Sequence, residues 1–192
     1  MMLKQHPTLG CCGLDCGMCP AYYTDGPSRC PGCGGEDFFE KHPSCSYITC
    51  CVKKRGLEVC VQCEDYPCAK FEGASNGPDV KTTAKKVFQN QQFILEYGID
   101  KYLEQQGLRI GMLRGMLENY NDGRSKTFYC LAATLLSVGG LNKALTEVDQ
   151  IVQLEGIGKK DLKSRAKILK DILTRLAGEE GEILKMRKGK HS

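Results

Sequence analysis

Twelve of the thirteen cysteines fall before residue 69, and only Cys130 lies beyond it. Three spacings among the twelve are Cys-x-x-Cys: Cys16-Gly-Met-Cys19, Cys30-Pro-Gly-Cys33 and Cys60-Val-Gln-Cys63. That spacing lets one tight turn offer two thiolates to one metal ion, and two such turns complete a tetrahedral zinc site at about 2.3 Å to sulfur. The candidate ligands form a wider set: Cys12, Cys16 and Cys19, then Cys30 and Cys33, then Cys45 and Cys50, then Cys60, Cys63 and Cys68. Cys11 and Cys51 stand in reserve. The set suffices for two or three four-ligand Zn2+ sites, and spacing alone does not say which cysteines share an ion. Cys130 sits in an apolar run and reads as a buried small hydrophobe.

The same thiolates suit a [4Fe-4S] cluster, which is the alternative cofactor. Cys12-x3-Cys16-x2-Cys19 has the spacing of the cluster motif of radical S-adenosylmethionine enzymes, and Cys11-Cys12-Gly13 resembles the paired cysteines of heterodisulfide-reductase-type domains. Against the first, the chain has too few strand-like segments for a surrounding α/β barrel, and Met18 stands where that motif carries an aromatic residue. Against the second, a downstream partner is missing. Zinc is therefore the expected metal. All-cysteine zinc sites are closed and structural, which argues against a zinc hydrolase. Catalytic residues are not expected: His6, His42 and His191 are the only histidines, and none forms a nucleophile–base arrangement that spacing can support. His42, near Cys45, could replace one cysteine ligand but reads more simply as a loop histidine.

No apolar run approaches the length of a bilayer span, and the first residues lack the apolar core of a signal peptide. The expectation is a cytoplasmic protein whose thiols stay reduced, which favours metal ligands over disulfides. Charge is uneven. Residues 1–76 hold seven basic and nine acidic side chains, a net −2, while residues 77–192 hold twenty and fourteen, a net +6. Each four-thiolate zinc site would add about −2, which makes the first segment a poor polyanion binder.

The elements that must position these thiols divide the same way. Residues 10–72 are rich in Gly, Pro, Cys and Asp and lack a sustained apolar period, so a segment of this size needs metals as staples. Gly73 to Pro78 reads as a linker. Helical periodicity then takes over: a helix capped by Asp79, with Val80, Ala84, Val87, Phe88, Gln91 and Leu95 on one face, ends at Gly98. A short helix from Ile99 stops at Gly107, and another spans Leu108 to Asn119. An apolar helix from Ser125 or Lys126 stops at Gly139-Gly140, the next runs from Leu141 to Leu154, and the last from about Lys159 to Ala177. The expected fold is mainly α: an irregular cysteine-rich metal-binding module, residues 1–76, packed on a small α-helical domain, residues 77–192.

Cysteine order and flanks resemble one family, the cysteine-rich domain of unknown function DUF3795 found mostly in anaerobic bacteria and archaea. The residues that carry the resemblance are Cys12-Gly-Leu-Asp-Cys16-Gly-Met-Cys19-Pro-Ala-Tyr22, Cys30-Pro-Gly-Cys33-Gly34, Cys45-Ser-Tyr-Ile-Thr-Cys50-Cys51 and Cys60-Val-Gln-Cys63-Glu-Asp-Tyr-Pro-Cys68. The resemblance covers residues 11–72. It implies a metal-binding role for Cys12, Cys16, Cys19, Cys30, Cys33, Cys45, Cys50, Cys60, Cys63 and Cys68, and no activity.

Two further segments have chemistry of their own. Ile151 to Leu162, through Gly156-Ile157-Gly158-Lys159-Lys160, resembles a helix–hairpin–helix, whose second helix holds a DNA phosphate on its free N–H groups. The usual proline before the first glycine is missing, so a glycine-bounded turn is the simpler reading and nucleic acid is not the favoured partner. Gly123-Arg124-Ser125-Lys126 joins a turn to two cations and a helix start, without the glycine spacing of a phosphate loop. The expected role is partner binding or regulation, with an unidentified protein as the partner and no membrane.

Overall fold

The computed structural model describes residues 3–72, 79 and 83–188. Among these the chain is mainly α, with no strand. It divides into two compact units, Met1–Gln106 with Met186–Ser192, and Gly107–Lys185. The boundary expected after residue 76 lies outside the described residues, as do Val80 and the 73–78 linker.

In the first unit the cysteine-rich segment is a chain of single turns, as its composition dictates. Tight turns of three or four residues occupy Cys16–Met18, Pro20–Tyr23, Gly26–Ser28, Cys60–Gln62 and Ala69–Phe71. One helical turn, Ser46–Ile48, widens into π-type turns over Thr49–Lys54. Two small apolar clusters hold these turns. One gathers Phe38 and Ile48 around Cys11, Cys33 and Cys51; the other gathers Leu9, Val59 and Val61 with Ile94 and Tyr102. Glycine permits the closest approaches. A Cβ on Gly32, at φ 84°, would stand 2.4 Å from the Pro7 carbonyl oxygen. One on Gly13, at φ 91°, would stand 2.8 Å from the Val87 carbonyl oxygen of the helix packed there.

That helix, α1, is Val87–Tyr97, ended by Gly98 as expected. It starts later than the periodicity suggested. Asp79 does not cap it; its carboxylate accepts from the Ala84 amide and pairs with Arg187. The buried residues are Val87, Gln91 and Ile94, whereas Leu95 is exposed. α2, Ile99–Tyr120, corrects another expectation, because it runs through Gly107 without a break. Within the first unit it buries Tyr102 and Gln106.

The second unit takes the rest of α2 with α3 (Lys126–Leu135), α4 (Val138–Leu154) and α5 (Leu162–Glu179). Leu113, Met116, Leu136, Leu141, Leu169 and Leu173 are wholly or almost wholly buried, and Cys130 is buried as well. Period on the last helix puts Leu162, Ala166, Leu169, Ile172, Leu173 and Leu176 on one stripe; all are buried but Leu162, which is half-buried at the first position of α5. Gly139 and Gly140 do not end a helix. They lie in the first turn of α4, where Ser137 Oγ accepts from the Gly140 amide at 2.9 Å and caps the start. No described helix is long and apolar enough to cross a membrane.

Candidate metal centre

Ring closure by the single turns brings together thiols that are far apart in sequence. The sulfurs of Cys11, Cys51 and Cys60 all lie within 4.8 Å of one another. The Cys33 sulfur is 3.8 Å from that of Cys11 and also accepts the Cys11 amide at 3.3 Å. Backbone bonds fix the approach: the Cys60 amide donates to the Cys11 carbonyl at 2.8 Å, and the Cys33 amide to the Pro7 carbonyl at 2.8 Å. Cys11, Cys33 and Cys51 are buried and Cys60 is half-buried. The cluster can hold a metal ion. Cys33 and Cys60 were among the ten primary candidates, while Cys11 and Cys51, at its centre, had stood in reserve. Nothing in their spacing distinguishes them, since the grouping arises from long-range closure.

Electrostatics fit a site that expects a cation. Hydrogen bonds with Cys11 and then Cys16 hold the Cys33 thiol down to about 3, and those with Cys11 and Cys60 hold Cys51 down to about 4. Cys11 is driven upward, mainly as the partner of Cys33 and Cys51, and Cys16 upward by its bond with Cys33. The bond with Cys11 pulls Cys60 down, but the bond with Cys51 and burial push it up and prevail. The sulfurs thus divide into thiolates and the thiols that donate to them, a sharing of protons that a metal ion would replace.

Lys4, which sequence reasoning passed over, supplies a fixed positive charge. Its side chain is wholly buried, and Nζ donates to the Leu9 and Glu58 carbonyls at 2.8 and 2.7 Å, with the Glu58 carboxylate at 3.5 Å. The ammonium favours the thiolates of Cys33 and Cys51. A second set of missed residues holds the loop bearing Cys11, Cys12 and Cys16. Asp15, buried at its centre, accepts from Asn90 Nδ2 at 2.9 Å, from Gln106 Nε2 at 3.2 Å and from the Tyr102 hydroxyl. Gln91 accepts the Val61 amide at 3.1 Å. Polar residues on the buried face of α1 and α2 were the one available signal for this.

The other expected ligands are more dispersed. Cys12, Cys16, Cys19, Cys30, Cys45, Cys50, Cys63 and Cys68 are half-buried. Burial raises the Cys12 thiol to about 12. Cys30 Sγ lies 3.4 Å from His42 Nε2, and the His42 ring stacks on Phe38, so this histidine is held beside a cysteine. Among the described residues, only Cys11, Cys51 and Cys60 form a group of three ligand atoms within 4.8 Å.

The helix–hairpin–helix-like segment has a different construction from a phosphate site. Gly156 takes φ 64° after α4, and α5 begins at Leu162. Asp161 caps that start, its carboxylate accepting from the Ser164 amide at 3.1 Å, where a phosphate would have to sit. The 122–126 turn is likewise built on an internal anion: Asp122 accepts the Arg124 amide at 3.0 Å and the Ser125 hydroxyl at 2.5 Å.

Comparison with known families agrees with the cysteine pattern. Residues 8–73 match the model of the family described as Protein of unknown function (DUF3795). No curated protein and no solved structure matches the chain.

Proposed function

We propose that the DUF3795 segment is a zinc-held scaffold in which Cys11, Cys51 and Cys60, with Cys33 as fourth ligand, hold one structural ion. The carrying observation is the sulfur spacing. Four thiolates at about 2.3 Å from one zinc stand about 3.8 Å from each other. The Cys11–Cys51–Cys60 group falls within 4.8 Å, and Cys33, 3.8 Å from Cys11 but outside that group, would have to move inward to complete the tetrahedron. Thiolates of an iron–sulfur cluster bind separate corner irons and stand further apart, which suits this group less well. Burial, backbone ties and a wholly buried lysine support a closed structural role over a reactive one. The metal fixes turns that have little apolar core, and the protein acts by presenting a folded surface to a protein partner.

The test is elemental analysis with a visible spectrum on protein purified without oxygen. Zinc without a visible band is the expected outcome, with a loss of zinc when Cys11 and Cys60 are both replaced by Ser. Iron with matching sulfide and a broad band near ~400 nm would replace zinc with a cluster and scaffolding with electron transfer. Duplex DNA binding at low salt that weakens on replacing Lys159 and Lys160 would instead favour the nucleic-acid reading.

A further inference from the structure

Among the cysteines outside the buried centre, Cys50, Cys63 and Cys68 line one cavity of about 30 Å³, whose wall they share with Cys51 and Cys60 of that centre. A void needs about 10–15 Å³ to take one water, so this one has room for an ion and a small ligand. Tyr66 forms part of its wall, and two cations, Arg55 and Lys70, stand beside the thiols. Cys63 Sγ is 4.0 Å from the Asp65 carboxylate, which also pairs with Arg55. The cavity is not sealed. Cys50 and Lys70 also line an open groove of about 1080 Å³ that carries Lys53 and Lys54. Basic side chains therefore flank the thiols on both sides of Cys50.

We propose that Cys50, Cys63 and Cys68 hold a second metal ion whose fourth position takes a small anion beside Arg55 and Lys70. Three thiolates with a free position make a ligand-binding site, whereas four make a closed one. The three sulfurs stand wider than the buried group, so the entering ion draws the turns inward, and no fourth cysteine beyond those of the buried centre lines the cavity. Three thiolates around a divalent ion leave a net −1, and the adjacent cations offset the cost of adding a further anion. The ligand division rests on the buried centre proposed above.

Cobalt(II) loading with azide as the probe anion tests it. Wild-type protein is expected to bind an outer equivalent of cobalt that Cys50→Ser/Cys68→Ser loses, and azide should shift the visible bands of the wild type only. Lys70→Ala, an exposed change, should weaken azide binding by about 5-fold, the upper worth of one solvent-facing charge. Equal cobalt content in the double variant, or wild-type bands indifferent to azide, would overturn the proposal. Should the double variant not fold, iodoacetamide labelling of the wild type during mild chelation decides. Cys50, Cys63 and Cys68 should be labelled ahead of Cys11, Cys51 and Cys60, and simultaneous labelling of all six means one shared centre and sinks the second site. The buried centre fails separately, if Cys11→Ser/Cys60→Ser keeps every equivalent of cobalt.

Discussion

Lys4 shows how a single side chain can matter to a thiolate site without being a ligand. Its ammonium is wholly buried and bonded to two carbonyls, and its charge favours the Cys33 and Cys51 thiolates. Lys4→Met keeps the bulk, leaves the Leu9 and Glu58 carbonyls unpaired and removes the charge. Chemical denaturation should show a loss of about 3 kcal/mol, and competition with a zinc chelator should show weaker metal retention. An unchanged chelator titration would mean that the charge is not felt at the sulfurs. At this scale the cysteines were legible, because thiol spacing is local. Lys4 and the central place of Cys11 and Cys51 were not, because the partners of Lys4 lie as far away as Glu58 and those of Cys11 as far as Cys60.

Helix α2 illustrates what element-level reading gets wrong. Gly107 looked like a stop, yet the helix is continuous from Ile99 to Tyr120, and the poor propensity of one residue does not break a run of that length. A Cβ at Gly107 would meet nothing within 4 Å. Gly107→Ala should therefore stabilise the protein by about 1 kcal/mol, read as a higher denaturation midpoint; a lower midpoint would show that the glycine has a role beyond backbone freedom. The same elements carry the polar node at Asp15. Asp15→Asn turns an acceptor into a donor facing Asn90, Gln106 or Tyr102, and should cost about 2 kcal/mol, with faster alkylation of Cys12 and Cys16 as the local signature. Labelling as slow as in the wild type would mean that α1 and α2 do not hold that loop. Helix existence and all of the apolar stripe of α5 but Leu162 were readable from period alone. The late start of α1 was not, since Asp79 bonds far along the chain instead of capping.

Over the whole molecule, acid should act on the two units by different routes. Protons compete with metal for thiolates, so under the proposed function the ion is expected to leave the first unit early on acidification. In the second unit, the Ser125 hydroxyl holds Asp122 below the ordinary carboxylate value of 3.8, and the Ser164 amide does the same for Asp161. The unfolded chain then takes up protons first, so this stability is full above 3.8 and is lost as pH falls through the lowered values. Zinc release measured with an indicator should precede the fall in far-UV ellipticity; simultaneous loss would mean that the helices depend on the metal. Composition foretold the contrast between a cysteine-rich region of short turns and a helical one, but not which residues close the first unit. Asp79 and Arg187 do so: the carboxylate is fully buried, accepts the Arg187 amide at 2.8 Å and Nη2 at 2.8 Å, and joins positions 108 residues apart. Burial would raise the Asp79 carboxyl, but the Arg187 bonds prevail and hold it low. On a ribosome adding about 5–20 residues per second, about 5–20 s separate the making of these two partners. The cysteine-rich turns are synthesised before the wait begins, so the nascent thiols meet the cell's metal pool while the clasp that completes their unit does not yet exist.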